Sequence, residues 1–267
     1  MKGKCIYEPG AKASEYGKYA ASFFVNCSNS CEYCYLRKGR FAKVLGGNTP
    51  TLKKCFQNGK HALYQFNKEL TANLPELQER GLFFSFTSDI FLQETAPLNI
   101  SAINLCIENE VPVAILTKRA DWDTLWNKYC MRIKRDVIRL VSFGFTLTGR
   151  DDMEPGASTN AERIKAMRKL HKAGFRTWSS IEPIIDFDSS LQMIGETAGI
   201  CDHYKVGLLK GAKYDNTALR AFVNQSLFFS RGSTFYFKDS LLKAAGIERS
   251  SLPSNYVVDR DFKLHEL

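Results

Sequence analysis

Cys27, Cys31 and Cys34 stand in the run Asn26-Cys-Ser-Asn-Ser-Cys-Glu-Tyr-Cys-Tyr-Leu36, at the spacing C-x3-C-x2-C. Three thiolates this close can face one small volume. They can ligate three irons of a cubane cluster and leave the fourth iron without a protein ligand, free to hold another molecule. Two simpler readings compete. Structural zinc wants four ligands, and no second C-x2-C or H-x3-H pair lies nearby to complete it. A disulfide pair fits an odd trio in one loop poorly. The other five cysteines (Cys5, Cys55, Cys106, Cys130 and Cys201) are scattered and read as small core residues or incidental thiols. No apolar signal segment and no membrane-length apolar run is present, so no membrane association is expected. That points to a reducing cytoplasm, where close cysteines are more often metal ligands or catalytic groups than bridges.

These cysteines need a scaffold that brings distant segments to the same place. At 267 residues the chain can form one barrel-sized α/β domain or two small ones. Residues 20–26 (AASFFVN) form a short apolar run ending at the cysteine loop and read as a buried strand. Further strands are expected at 82–86, 111–117, 137–147, 176–185 and 203–209. Helices are expected at 58–74, 99–109, 121–129, 158–173, 189–198 and 218–224. The helix at 158–173 has capping side chains ahead of its apolar face and stops at Gly174. Six strand–helix units imply a parallel sheet with right-handed crossovers, too few for a closed eightfold barrel. The expected architecture is an α/β fold, an open partial (β/α)6 barrel spanning 20–231. Residues 1–19 would form an N-terminal extension. Residues 232–267 would form a C-terminal extension packed on the barrel, its strand 234–238 and helix 239–245 closing the barrel bottom. In such barrels the active site lies at the C-terminal strand ends. By that rule Cys27 leaves the first strand on the active side.

Several pieces stand in order after the cysteines: Cys34-Tyr-Leu36, Thr87-Ser-Asp-Ile90, Thr117-Lys118, Glu154-Pro-Gly-Ala-Ser158, Arg163 and Lys172-Ala-Gly174. With the cysteine motif, this series resembles the radical S-adenosylmethionine (SAM) superfamily, and within it the spore photoproduct lyase-like branch of DNA repair enzymes. The resemblance covers roughly residues 20–210 by the barrel pattern. It implies a [4Fe-4S] cluster on Cys27, Cys31 and Cys34, with SAM chelating the open iron. One electron would then split SAM and yield a 5′-deoxyadenosyl radical that abstracts hydrogen from a substrate. Thr87, Ser88 and Asp89 match the strand end that contacts the methionine end of SAM, and Lys118 matches a partner for its carboxylate. Ser142 on the fourth strand is a further SAM candidate, as is Gly207 at the adenine pocket, where a glycine lets a ligand approach. Tyr33 and Tyr35 match tyrosines of the family's catalytic relay, and Tyr33 also packs against the cluster. Glu154 and Arg163 read as a structural ion pair closing a loop over the site. Phe24, Tyr33, Tyr35, Phe86 and Phe91 would form a dry aromatic mouth.

One position departs from the family pattern. The cysteine that returns hydrogen to the product radical in spore photoproduct lyase is replaced by Phe86, which has no comparable hydrogen to give. The net charge of +9 favours polyanionic partners. Arg37, Lys38, Arg40, Lys43, Lys118, Arg119, Lys210 and Lys213 would line the rim. The expected substrate is a nucleic acid or nucleotide, with an acidic electron donor such as flavodoxin or ferredoxin. Alternatives are a peptide- or protein-modifying radical enzyme and a non-catalytic iron–sulfur protein that binds nucleic acid.

Overall fold

The structure is a computed structural model, and it describes residues 4–38, 42–130, 134–229 and 232–264. Its strands are β1 (Ile6–Tyr7), β2 (Ala20–Ala21), β3 (Phe24–Val25), β4 (Thr51–Leu52), β5 (Leu82–Phe84), β6 (Val113–Thr117), β7 (Val141–Thr146), β8 (Arg176–Ile184), β9 (His203–Leu208) and β10 (Thr234–Phe237). The helices are α1 (Ala42–Leu45), α2 (Gly59–Ala72), α3 (Leu74–Arg80), α4 (Ala96–Glu108), α5 (Trp122–Tyr129), α6 (Lys134–Leu140), α7 (Asn160–Lys172), α8 (Phe187–Thr197), α9 (Asn216–Phe228) and α10 (Asp239–Ala245). Eight strands form one open sheet in the order β1-β2-β5-β6-β7-β8-β9-β10. Only β1 runs antiparallel to its neighbour, and β3 and β4 form a separate antiparallel pair. Among the described residues no helix is long and apolar enough to cross a membrane.

Two apolar layers follow from strand alternation. On β7, Phe143 and Phe145 face the helices, where Trp122, Trp126 and Phe175 surround Phe143. The intervening positions face inward. There Trp178 packs with Ala20, Phe83 and Leu264, flanked by Tyr16 and Phe86. Gly144 is required at this crossing, because a Cβ would come within 2.2 Å of the Trp178 ring. At the expected helix 158–173 the start is fixed by a capping box, in which the Thr159 hydroxyl accepts from Glu162 N–H and the Glu162 carboxylate accepts from Thr159 N–H.

Four expectations change. The strand expected at 137–147 begins only at Val141, and residues 137–140 belong to α6, because Val137 and Leu140 lie three apart on one buried helical face. The run 20–26 divides into two short strands, with Asn26 in the left-handed region at φ 69°. The C-terminal segment is no appendage: β10 pairs in parallel with β9 and extends the sheet beyond residue 231. Its helix α10 packs outside against α9 and β9. The bottom is covered instead by residues around Pro9–Tyr19 and Arg260–Leu264, over a cavity of about 230 Å³.

Candidate functional site

The cysteine loop sits above the strand ends and is tied to its surroundings through its backbone. Cys27 N–H donates to the Gly47 carbonyl at 3.2 Å, and Glu32 N–H to that of Met153 at 3.0 Å. Gly156 N–H donates to the Asn29 carbonyl at 3.1 Å. A Cβ at Gly156 would lie 2.2 Å from the Ser28 carbonyl oxygen, so the Glu154–Ser158 loop rests directly on the cysteine loop. That loop is also fastened to the end of β6, where Ser158 N–H donates to the Lys118 carbonyl and the Arg119 guanidinium to the Gly156 carbonyl, both at 3.0 Å.

Asp89 joins these pieces. Its carboxylate accepts from Asn29 Nδ2 (2.8 Å), Phe91 N–H (3.0 Å), Thr117 Oγ1 (2.6 Å) and Lys118 N–H (2.7 Å). Both oxygens are spent on protein donors, so Asp89 positions the cysteine loop and β6. It has no spare acceptor of the kind a ligand amine would need. Thr87 is similarly committed, donating to the Phe24 carbonyl at 2.5 Å. Ser88 differs: it is buried, and among the described residues its Oγ has no hydrogen-bond partner. In the cysteine loop, Asn29 Oδ1 is also unpaired among the described residues. Such atoms are expensive to leave unmatched, so an unpaired pair next to the cysteines marks a place for a polar ligand.

Glu154 forms the second junction. Its side chain is fully buried, and so is that of Arg163, to which it is paired. Tyr33 donates its phenol to the same carboxylate, and Lys118 Nζ lies 4.0 Å from it and 5.5 Å from the centre of the Tyr33 ring. The expected ion pair between Glu154 and Arg163 is therefore present, and it also anchors the residue before the third cysteine. Burial pushes the Cys27 thiol up to about 12, assisted by the negative charge of Asp89. Burial raises Cys31 too, against the opposing pull of Lys118. Burial would lower Lys118, but Cys31 and Glu154 outweigh it and hold the ammonium above its ordinary value. Buried thiols of this kind lose their protons to a metal far more readily than to water.

Among the described residues no three His, Cys, Asp or Glu side chains converge on the volume of a single metal ion. A cubane asks for something looser, because each thiolate binds a different iron. Three soft sulfur donors, an unpaired buried hydroxyl and an ammonium beside Cys31 suit such a cluster and an amino-acid ligand on it.

The other predicted residues divide. Tyr35 is 55% exposed and donates to the Phe86 carbonyl at 2.7 Å. Phe86 stacks on Phe83, with ring centres 4.5 Å apart, and caps the lumen. Phe91 lies behind the sheet against Trp122 and Trp126, away from the mouth. Ser142 stands at the opposite end of its strand from the one where Lys118 follows β6. It is the second residue of β7, at the N-terminal end of the strand, buried and directed to the Val113 carbonyl at 3.4 Å. Gly207 has a packing reason of its own. The space left by its missing Cβ holds the Glu182 carboxyl and the Lys238 stem, which would lie 2.8 and 2.9 Å from a Cβ there. Cys5, Cys106 and Cys201 are buried in the core, Cys5 against Ala62 and Cys201 at the N-terminal end of β9.

A buried polar cluster was missed. Lys238 Nζ lies 2.7 Å from Glu182 and 3.5 Å from Glu15, and Tyr16 donates to Glu182 at 2.6 Å. Lys205 donates to the Glu15 carbonyl at 2.7 Å, its ammonium between the Tyr16 and Tyr236 rings. The signal was available: a glutamate and two lysines at inward positions of apolar strands are out of place unless paired.

No family model matches this sequence. The uncharacterized protein MJ0683 of Methanocaldococcus jannaschii is 26% identical over 212 residues, covering 73% of this chain and 70% of that protein. The fold is similar to that of Streptococcus suis SuiB. Against SuiB bound to S-adenosylmethionine the TM-score is 0.51 at 12% identity, over 83% of this chain and 50% of SuiB. Against SuiB bound to the precursor peptide SuiA it is 0.50 at 13% identity, over 88% and 54%. The chain thus spans about half the length of SuiB, and the likeness is one of fold. This likeness is to SuiB, so the spore photoproduct lyase branch gains no support from it.

Proposed function

We propose that this chain is a radical SAM enzyme acting on a peptide or protein. The observation that carries the reading is that the ends of parallel β5 and β6, with the unpaired Ser88 hydroxyl and the Lys118 ammonium beside Cys31 and Glu154, are bound through Asp89 to the loop that carries the three cysteines. When bound, a [4Fe-4S] cluster and SAM supply the one-electron cleavage that yields a 5′-deoxyadenosyl radical. Cys27, Cys31 and Cys34 hold the cluster. Ser88 offers a hydrogen bond, and Lys118 a charge, to the amino-acid end of SAM. Asp89 and Glu154 keep those two residues and the loop in place, while Phe86, Phe83 and Tyr16 exclude water from the lumen below.

The peptide reading is supported by the fold shared with SuiB, which has been seen with its precursor peptide. The nucleic-acid reading relied on rim cations, and several are occupied. Lys118 faces Glu154, Arg119 binds Asp121 and the Gly156 carbonyl, and Arg37 binds Ser30 and Asn48. Arg40 lies outside the described residues.

The test is anaerobic reconstitution with iron and sulfide, then SAM and a strong reductant, with 5′-deoxyadenosine as the readout. Cysteine-dependent product, lost in Cys31→Ala, supports the enzyme. Neither SAM cleavage nor a SAM-dependent change in the cluster's EPR signal would sink it. Deuterium transfer into 5′-deoxyadenosine from labelled peptides, RNA or DNA then assigns the substrate class.

A further inference from the structure

Between Tyr33 and Lys68 the sequence contains eight Lys and Arg residues and no Asp or Glu. Elsewhere the two signs nearly cancel, so almost all of the +9 net charge belongs to this stretch. Part of it is turned inward, Lys53 donating to the Ser22 carbonyl at 2.6 Å. Lys38, Lys43, Lys54, Lys60 and Lys68 are exposed. On α2, Lys60, Tyr64 and Lys68 recur every fourth residue and share one outward face, while Ala62, Phe66 and Leu70 are buried on the other. The first acid to follow, Glu69, is turned away and accepts the backbone N–H groups of Lys4, Cys5 and Ile6. Two apolar side chains stand out among these lysines, Val44 and Tyr64, each 65% exposed.

The part of this stretch that carries Lys38 and Lys43 adjoins the cysteine loop. Cys34 opens the turn Tyr35–Arg37 that leads to Lys38, and Gly47, just after α1, accepts from Cys27 N–H. We propose, building on the function above, that this stretch is the docking surface for an acidic protein that delivers single electrons to the cluster. One electron leaves the donor's carrier, which is oxidised, and enters the cluster held by Cys27, Cys31 and Cys34, which is reduced; no atom is transferred. Charge complementarity selects the occupant. Among the described residues of this stretch the exposed cations are all lysines, strongly hydrated point charges suited to a brief, steered encounter, whereas tight phosphate recognition favours the bidentate fork of arginine. Small, electrostatic and transient interfaces are typical of electron-transfer pairs.

The experiment measures cluster reduction by stopped-flow absorbance with reduced plant-type ferredoxin, which is acidic, and separately with dithionite. The triple variant Lys38→Glu, Lys54→Glu, Lys60→Glu is compared with a control, Lys165→Glu, Arg168→Glu, Lys172→Glu, on the exposed face of α7. At low salt the first variant is expected to slow ferredoxin reduction by about tenfold or more, the difference shrinking as salt rises. Iron and sulfide content and dithionite reduction stay unchanged in both. Equal rates in wild type and variant, equal slowing in the control, or no salt dependence would overturn the proposal. So would loss of single-stranded oligonucleotide binding with ferredoxin reduction intact, which would give the face to nucleic acid. A wild-type protein that takes up no iron and sulfide fails at the earlier reading, and metal analysis reports that separately.

Discussion

Glu154→Gln tests whether one buried carboxylate holds the site together. The substitution preserves shape and removes the charge that balances the fully buried Arg163 and the nearby Lys118. Breaking a buried pair by removing one partner costs about 3–5 kcal/mol, because the other charge stays behind in a poor environment. The lower end applies here, since Arg163 also donates to the Thr146 carbonyl and lies 3.7 Å from Asp151. At roughly 2.1 cal/mol/K per residue, the unfolding entropy of a 267-residue chain is about 0.56 kcal/mol/K. A loss of ~3 kcal/mol therefore lowers Tm by ~5 °C. Calorimetry or a urea titration measures this directly. Glu154→Gln/Arg163→Met should lose less than the sum of the single variants, with a coupling of about 2 kcal/mol. Because Tyr33 loses its anchor as well, the thiols of the iron-free cysteine loop should react faster with a disulfide reagent in Glu154→Gln. A Tm change under ~2 °C, strictly additive single variants and unchanged thiol reactivity together would refute this account of the junction.

Ser88→Ala should leave stability within about 0.5 kcal/mol, since no hydrogen bond is lost, yet weaken SAM binding to the reconstituted protein several-fold by calorimetry. Lys118→Met removes a charged contact and should weaken it by about tenfold or more; unchanged affinity in both would remove them from the SAM site. Ser142→Ala should lose under ~1 kcal/mol and leave SAM affinity unaltered. Gly207→Ala should cost about 1–3 kcal/mol in a urea titration, because its Cβ must displace Glu182 and Lys238. Burial, reinforced by the neighbouring Lys238 ammonium, holds Lys205 down at about 7. Between that value and the ordinary lysine value near 10.4 the unfolded chain binds the extra proton, so this group makes stability rise with pH across the window and adds no slope below it. Urea midpoints at pH 7 and pH 9.5 should therefore rise more in the wild type than in Lys205→Met; equal slopes would refute the assignment.

What could be read from the sequence was what local chemistry dictates. The cysteine spacing, the capping side chains before α7 and the Gly174 stop lie within a few residues of what they control. The alternation of strands and helices implied a parallel sheet, and Thr87–Asp89 and Lys118 were placed at its strand ends by the barrel rule. Errors arose where tertiary packing decides. The run 137–147 is apolar enough for a strand, but Val137 and Leu140 are claimed by a helical face. Ser142 lies on the fourth expected strand but at its N-terminal end, a difference of a few residues that only the register with Ala114 and Arg176 reveals. Asp89 was assigned to a ligand because its neighbours are placed for one, whereas four protein donors already saturate it.

The lumen shows most clearly why the remainder was illegible. Glu15, Tyr16, Glu182, Lys205, Tyr236 and Lys238 come from four separate segments, and each alone looks like an ordinary residue or an awkward one. Burying any of these charges singly would be prohibitive. Their sum is tolerable because each amine has an oxygen within reach and each carboxylate meets an amine or a phenol. Gly207 belongs to the same solution, since only a residue without a side chain admits the Glu182–Lys238 pair. A neutral lumen of aliphatic side chains would be easier to build. Retaining a charged one that reaches the Glu182 side chain, which is still 21% exposed, keeps a fixed dipole inside the sheet. The polar lumen is thus set by long-range pairing, whereas the cysteine spacing is set within eight consecutive residues.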